Sequence, residues 1–333
     1  INSDMKKNYK LLLSICLLTT CCLFLSACSS TKEPISKQGF LLDTVIQITL
    51  YDTNNESLLD ESFAVCEKYE QLLSRTIESS DVSRINEANG KPVTVSDETI
   101  SLIQKSLTYS QLSDGAFDIT IAPLSSLWDF KDKKTIPDSH ALDEARALVD
   151  YHTIQINGNI VTLSNPKASI DLGAIAKGYI ADKIKEYLVS QNVKSGLINL
   201  GGNVLTIGTK PDGSAWNIGI QKPFDEQNAA ITSVHLSDES VVTSGVYERY
   251  FKQDGVIYHH ILDAKTGYPY QNGLLGVTII SKESVDGDAL STTCFALGLQ
   301  KGMELIQSLP DVEAIFITDD YQLHDTREAK SKS

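Results

Sequence analysis

Asp288 and Thr292 carry the clearest chemical signal in this 333-residue chain. They stand four apart in Val285-Asp286-Gly287-Asp288-Ala289-Leu290-Ser291-Thr292-Thr293-Cys294-Phe295. Positions i and i+4 share a helix face, which sets a carboxylate beside a hydroxyl at the mouth of an otherwise apolar helix. Two hard oxygens placed this way suit Mg2+, which keeps waters and phosphate oxygens as further ligands. The same spacing also fits an Asp N-cap followed by an ordinary Thr.

Two other segments offer complementary chemistry. Ile170-Asp171-Leu172-Gly173-Ala174-Ile175-Ala176-Lys177-Gly178-Tyr179 reads as a strand passing into a helix. Its glycines let the backbone turn and approach a ligand. The helix N-terminus offers N–H groups to an anion, and Lys177 adds positive charge there. Tyr258-His259-His260-Ile261-Leu262-Asp263 ends a strand, on which successive side chains alternate, so one histidine faces inward. An inward histidine beside a pyrophosphate can shuttle a proton. A structural histidine would fit the same position.

These segments must be positioned by the elements between them. Leu42–Tyr51 alternates and reads as a strand, while Ser57–Ser74, Asp97–Leu112 and Ala176–Gln191 read as helices. Asn157-Gly158 marks a hairpin between Ile154–Ile156 and Ile160–Leu163. Further strands are expected at 168–171, 197–200, 216–220, 231–236, 256–262, 276–280 and 314–318. Helices and strands mix without a strict βαβ rhythm. The fold class is therefore α+β, built as one large domain or two intimate ones. Phosphate-loop, dinucleotide-fingerprint, H-E-x-x-H and C-x-x-C motifs do not occur.

The N-terminus sets the destination. Lys6, Lys7 and Lys10 precede a mostly apolar run from Leu11 to Leu25, and Leu25-Ser26-Ala27-Cys28 follows. Residues 1–27 read as a lipoprotein signal peptide, with Cys28 the lipid-bearing mature N-terminus. Residues 28–37 form a polar tether, 38–325 the folded domain and 326–333 a polar tail. The expected location is the cell membrane, lipid-anchored on its extracytoplasmic face. Four of the six cysteines belong to the signal, leaving Cys66 and Cys294 as buried free thiols. Losing residues 1–27 moves the formal charge from −14 to −16, which argues against nucleic-acid binding.

Seven ordered motifs resemble the ApbE family of flavin transferases. They are Ser83-Arg84-Ile85-Asn86, Gly115-Ala116-Phe117-Asp118, Asp171 to Gly178, Asn199-Leu200-Gly201-Gly202-Asn203, Thr243-Ser244-Gly245, His260-Ile261-Leu262-Asp263 and Asp288 to Thr292. The resemblance runs from about Phe40 to Asp320. It implies Mg2+ held by the backbone oxygen of Ala174 and the side chains of Asp288 and Thr292. It implies FAD, as substrate, against Leu42, Thr76, Ala116, Phe117, Asp118, Asp171, Lys177 and Leu262. Asp288 and His260 would be catalytic, His260 as the proton acceptor.

The implied reaction splits FAD at its pyrophosphate and joins FMN to a Thr or Ser of an exported or membrane flavoprotein, releasing AMP. The alternatives are an FAD pyrophosphatase giving FMN and AMP, and a non-catalytic flavin-binding lipoprotein. Two positions depart from the family pattern: Leu42-Asp43-Thr44 stands where Met-Gly-Thr is usual, and Thr76 where an aromatic is frequent.

Overall fold

Alternating apolar residues build the first hairpin, Ile35–Leu41 (β1) and Thr44–Leu50 (β2), with Leu41 opposite Thr44. The computed structural model describes residues 33–327 apart from 133, 226 and 228. Helices Ser57–Leu73 (α1) and Asp81–Glu87 (α2), strand Val93–Thr94 (β3) and helix Asp97–Leu112 (α3) follow. Ser80 and Ser96 start α2 and α3 by accepting the N–H groups of Ser83 and Thr99. Next come Ala122–Ser125 (α4), Ser139–Arg146 (α5), and the hairpin Ile154–Asn157 (β4) with Ile160–Leu163 (β5).

Ala176–Ser190 (α6) leads into Ser195–Leu200 (β6) and Asn203–Gly208 (β7). Then come Trp216–Gln221 (β8), Ala230–Leu236 (β9), Ser240–Gly245 (β10), Tyr250–Gln253 (β11) and Val256–His259 (β12). Leu274–Ser281 (β13), Ser284–Leu297 (α7), Leu299–Ser308 (α8), Glu313–Thr318 (β14) and Leu323–Asp325 (β15) complete the described chain.

Eight strands form one sheet in the order β1-β2-β6-β7-β10-β13-β14-β15. Every neighbouring pair is antiparallel. β13 is buried along its whole length, because α7 covers it and its neighbour β10. α6 packs in turn between α7 and α1. The chain from Pro34 onward forms a single unit, so the α+β expectation holds with one domain rather than two. Cys66 and Cys294 are buried free thiols as expected, both pushed up to about 12 by burial.

Several local expectations shift. The single strand expected over Leu42–Tyr51 is a hairpin arm, and Ile35–Lys37 of the expected tether belongs to β1. Thr326, placed in the polar tail, is fully buried, and its hydroxyl accepts the Ala314 N–H at 2.9 Å. The domain therefore runs past residue 325. The β4–β5 turn uses Gly158-Asn159, one residue later than expected, since Asn157 already pairs with Ile160.

Residues 168–171 form no strand. The Ile170 N–H donates to Asn86 Oδ1 at 2.7 Å, and the Ile170 carbonyl accepts from Asn86 Nδ2 at 2.9 Å. One side-chain amide thus replaces a neighbouring strand. The strand expected over 256–262 stops at His259, with Leu262 making only an isolated bridge to Pro269. Among the described residues no helix is long and apolar enough to cross a membrane. The signal, Cys28 and the end of the tail lie outside the described residues.

Candidate active site

Two helix N-termini meet beneath the main cavity and cap each other. Asp182 of α6 accepts the N–H groups of Ser284 and Val285, both at 2.8 Å, at the start of α7. Asp288 of α7 reaches back to α6, where Oδ2 accepts the Gly178 N–H at 2.8 Å. The two backbones touch at this crossing. A Cβ on Gly178 would collide with the Ser284 carbonyl, so this glycine serves helix packing and not the ligand approach expected for it. Its N–H is likewise not free for an anion. Asp288 lies in the second turn of its own helix, and the helix mouth it occupies belongs to α6.

Only one oxygen of Asp288 is committed to the backbone. Oδ1 faces Lys177 Nζ at 4.0 Å. The Thr292 hydroxyl, one turn on, lies 3.1 Å from Ser244 Oγ on β10, and Ser244 also meets Ser291 at 2.7 Å. Asp286 is turned away from the site, bonded to the Tyr109 hydroxyl at 2.5 Å and Lys105 at 2.6 Å. The neighbouring Glu248 carboxyl accepts the Gly245 N–H at 3.1 Å. Burial pushes its pKa up, opposed by the positive charge of Lys177.

Asp288, Thr292 and Lys177 line a cavity of about 960 Å³, at the upper end of the range for small-molecule sites. The same cavity is lined by Leu42, Thr76, Ala116, Phe117 and Asp118. Asp171, Ala174, His260 and Leu262 complete the expected set, so every site residue read from the sequence within the described chain lies on one cavity. The Asp118 carboxylate is fully engaged, accepting from Thr120 N–H, Thr120 Oγ1 and Tyr151 N–H at 2.7, 2.6 and 2.9 Å. Asp171 pairs with Arg75 Nε at 3.0 Å and accepts the Gly173 N–H at 2.8 Å.

The two histidines have different surroundings, although His260 lies just past the end of β12. His259 is sealed in the core: Nε2 donates to the Tyr270 carbonyl at 2.8 Å and Nδ1 accepts the Ile261 N–H at 3.3 Å. His260 lines the cavity, with a buried Nδ1 that has no hydrogen-bond partner. Burial, then the positive charge of Arg249, pulls its pKa down to about 3, so the ring is neutral near pH 7.

Around the expected Leu42, the rim contains groups that the sequence reading did not assign to the site. Leu42 and Asp43 form the β1–β2 turn, both at positive φ (55° and 58°), a strained arrangement for residues with side chains. Three contacts hold the turn. The Leu42 N–H donates to Glu70 Oε1 at 2.8 Å, Asp43 pairs with Lys131, and Arg249 approaches Asp43 at 3.6 Å. Glu248, Arg75, Trp128 and Phe130 also line the cavity. Two aromatics within the polar stretch Ser125–Lys134 were the signal available for the last pair.

Mg2+ chemistry can be weighed against these groups. Among the described residues no three His, Cys, Asp or Glu side chains cluster as a metal site. The set of Asp288, Thr292 and the Ala174 carbonyl contains only one such side chain. Its chemistry nevertheless fits: Asp288 is buried with an oxygen to spare, and all three residues line the cavity.

Comparison with known proteins agrees with this architecture. The ApbE family model matches residues 42–316. An FAD:protein FMN transferase of Klebsiella pneumoniae is 42% identical, covering 87% of this chain and 90% of its own length. One of Treponema pallidum is 33% identical, covering 86% and 84%. The ApbE protein of Thermotoga maritima superposes with a TM-score of 0.82 at 30% identity, over 90% of this chain and 99% of that one. The flavin transferase ApbE of Vibrio cholerae gives 0.80 at 27%, over 90% and 99%. The chain belongs to the ApbE family.

Proposed function

We propose that this chain is a Mg2+-dependent FAD:protein FMN transferase, which splits FAD and attaches FMN by a phosphoester bond to a Thr or Ser of a partner flavoprotein. Enzymatic transfer of this type follows from the family. The observation that carries the finer reading is the convergence of Asp288, Thr292, Lys177 and neutral His260 on one cavity.

In this reading the acceptor hydroxyl attacks the FMN-side phosphorus. The new P–O bond forms as the bond to the AMP phosphate breaks, and AMP leaves. His260 takes the hydroxyl proton, a role open to a ring that is neutral before reaction. Lys177 sits beside the pyrophosphate and offsets its charge. Asp288, Thr292 and the Ala174 carbonyl would hold Mg2+. The bound ion would supply electrostatic stabilisation of the phosphate oxygens. The cavity walls fix FAD in place, and positioning of this kind supplies much of the rate in such transfers.

The membrane anchor is part of the same proposal. It rests on the basic start, apolar run and Leu25-Ser26-Ala27-Cys28 of the sequence. Labelled palmitate on the parent but not on Cys28→Ala would support it. Label retained by the variant would overturn it.

The activity is tested by incubating the chain with FAD, Mg2+ and an apo-flavoprotein acceptor, then measuring masses. FMN on the acceptor with released AMP is the expected result. Free FMN and AMP would make the chain an FAD pyrophosphatase, and intact FAD a flavin-binding protein. Transfer undiminished by a chelator would remove the metal from the reading.

A further inference from the structure

FAD carries two flat heterocycles, and a cavity that binds it gains from an aromatic face to stack against. Most of the aromatic rings along this cavity have none to offer. Phe117 is fully buried edge-on to Tyr109, and Tyr69 is buried edge-on to Tyr179. Tyr270 is half-buried and packs against the hydrophobic core, and Phe40 is 68% exposed; among the described residues neither has a ring stacked behind it. Trp128 is buried, with its Nε1 donating to the Gly267 carbonyl at 2.9 Å.

Phe130 differs in having a parallel ring behind it. It is half-buried and lies parallel to Trp128, with an interplanar angle of 4° and ring centroids 5.8 Å apart. Trp128 is stacked in turn on Tyr258 at 5.8 Å, and Tyr258 on Phe251 at 5.3 Å. Phe130 also lies 6.0 Å from Phe251, so it belongs to a cluster of mutually supporting rings at the cavity wall.

Its surroundings fix this wall in place. Lys131, the next residue, pairs with Asp43 beside Leu42. Upstream, Ser126 accepts from Arg75 Nη1 at 2.8 Å, which joins this segment to the loop carrying Thr76. Leu42, Thr76 and Phe130 all line the cavity, and of the three only Phe130 has a ring.

We propose that Phe130, backed by Trp128, is the stacking wall for a planar heterocycle of the dinucleotide. The proposal rests on the FAD reading above, and isoalloxazine and adenine share the chemistry it needs. Binding of FAD, FMN and ADP to the full chain tests it, without any need for turnover. Phe130→Leu should weaken FAD binding about 10-fold, whereas Phe130→Tyr, which keeps the ring, should stay within about twofold of the parent. Phe130→Met provides a second ring-less variant should Phe130→Leu fold poorly, with thermal midpoints run alongside.

A loss shared by FMN and not ADP places isoalloxazine on the ring; the converse places adenine there. Either outcome supports the wall. Folded ring-less variants that bind all three probes like the parent would overturn it. A parent chain that binds none of the three would overturn the flavin reading itself, and the wall with it.

Discussion

Asp182 and Asp288 occupy matching places on two helices and have unlike tasks. Each is buried, at 7% and 4% exposure, and each caps the neighbouring helix. Asp182 spends both oxygens on backbone N–H groups, whereas Asp288 spends one and keeps the other toward Lys177 and the cavity. Burial costs a carboxylate free energy unless its oxygens are satisfied. For Asp182 the two N–H groups offset part of that cost, and burial still pushes its pKa up to about 7. For Asp288 the spare oxygen is the one the proposed Mg2+ site would use. The histidines repeat the contrast: both nitrogens of His259 are bonded within the core, while His260 leaves its Nδ1 unpartnered.

The largest effect should come from the spare oxygen. Asp288→Asn keeps an acceptor for the Gly178 N–H but removes the charge, so folding should survive while transfer does not. Loss of a metal ligand is worth several kcal/mol of barrier, or roughly 10³-fold in turnover. Steady-state assays across Mg2+ concentrations measure it. Unchanged turnover at ordinary Mg2+ would remove Asp288 from the metal set.

His260→Ala should follow, with a turnover loss of about 10²–10³-fold and little change in FAD affinity, as expected when a general base is removed. Comparable kcat in a variant that binds FAD normally would mean that another group takes the acceptor proton. The matching change in the core, His259→Ala, should lower the thermal midpoint and leave the kcat of the folded enzyme close to the parent value.

Asp182→Asn sharpens the comparison from the structural side. The amide can accept one of the two N–H groups of α7 and must turn its NH₂ toward the other. An unsatisfied buried donor costs about 2 kcal/mol, visible as a lower urea midpoint. Turnover of the folded fraction should hardly move. If it fell as far as in Asp288→Asn, the division between a structural and a reactive carboxylate would be wrong.

Much of the site was legible because its chemistry is written in short local words. Asp288 and Thr292 share a helix face by spacing alone, and alternation is enough to expect the two histidines to differ in surroundings. What failed to show was long-range satisfaction of local groups. No spacing rule says that Asp288 caps a helix more than a hundred residues earlier, or that Gly178 is small for the Ser284 carbonyl. Nor could it say that Asn86 would stand in for a strand beside Ile170. The β1–β2 turn was hidden for a related reason. Leu42 is a poor residue for positive φ, and the Glu70, Lys131 and Arg249 contacts that hold the turn come from distant segments.

The smallest expected effect is a slope with pH, and it separates the histidines from the carboxylates by sign. Burial holds the His259 pKa down at about 4, below the ordinary value of 6.5. Below pH 6.5 the unfolded chain takes up a proton that the folded chain refuses. The stability contributed by the neutral ring is therefore whole above pH 6.5 and is lost as pH falls toward 4, by up to about 1.4 kcal/mol per pH unit. Asp182, pushed up to about 7, acts in the opposite direction, because the folded chain holds its proton where the unfolded chain has released it. The net slope of the parent mixes both signs, and only a difference is diagnostic. Urea midpoints of the parent and His259→Gln between pH 7 and 5 should converge on acidification, since the variant no longer has this proton to refuse. Parallel lines would mean that His259 titrates alike in the folded and unfolded chains, and that burial does not hold it neutral.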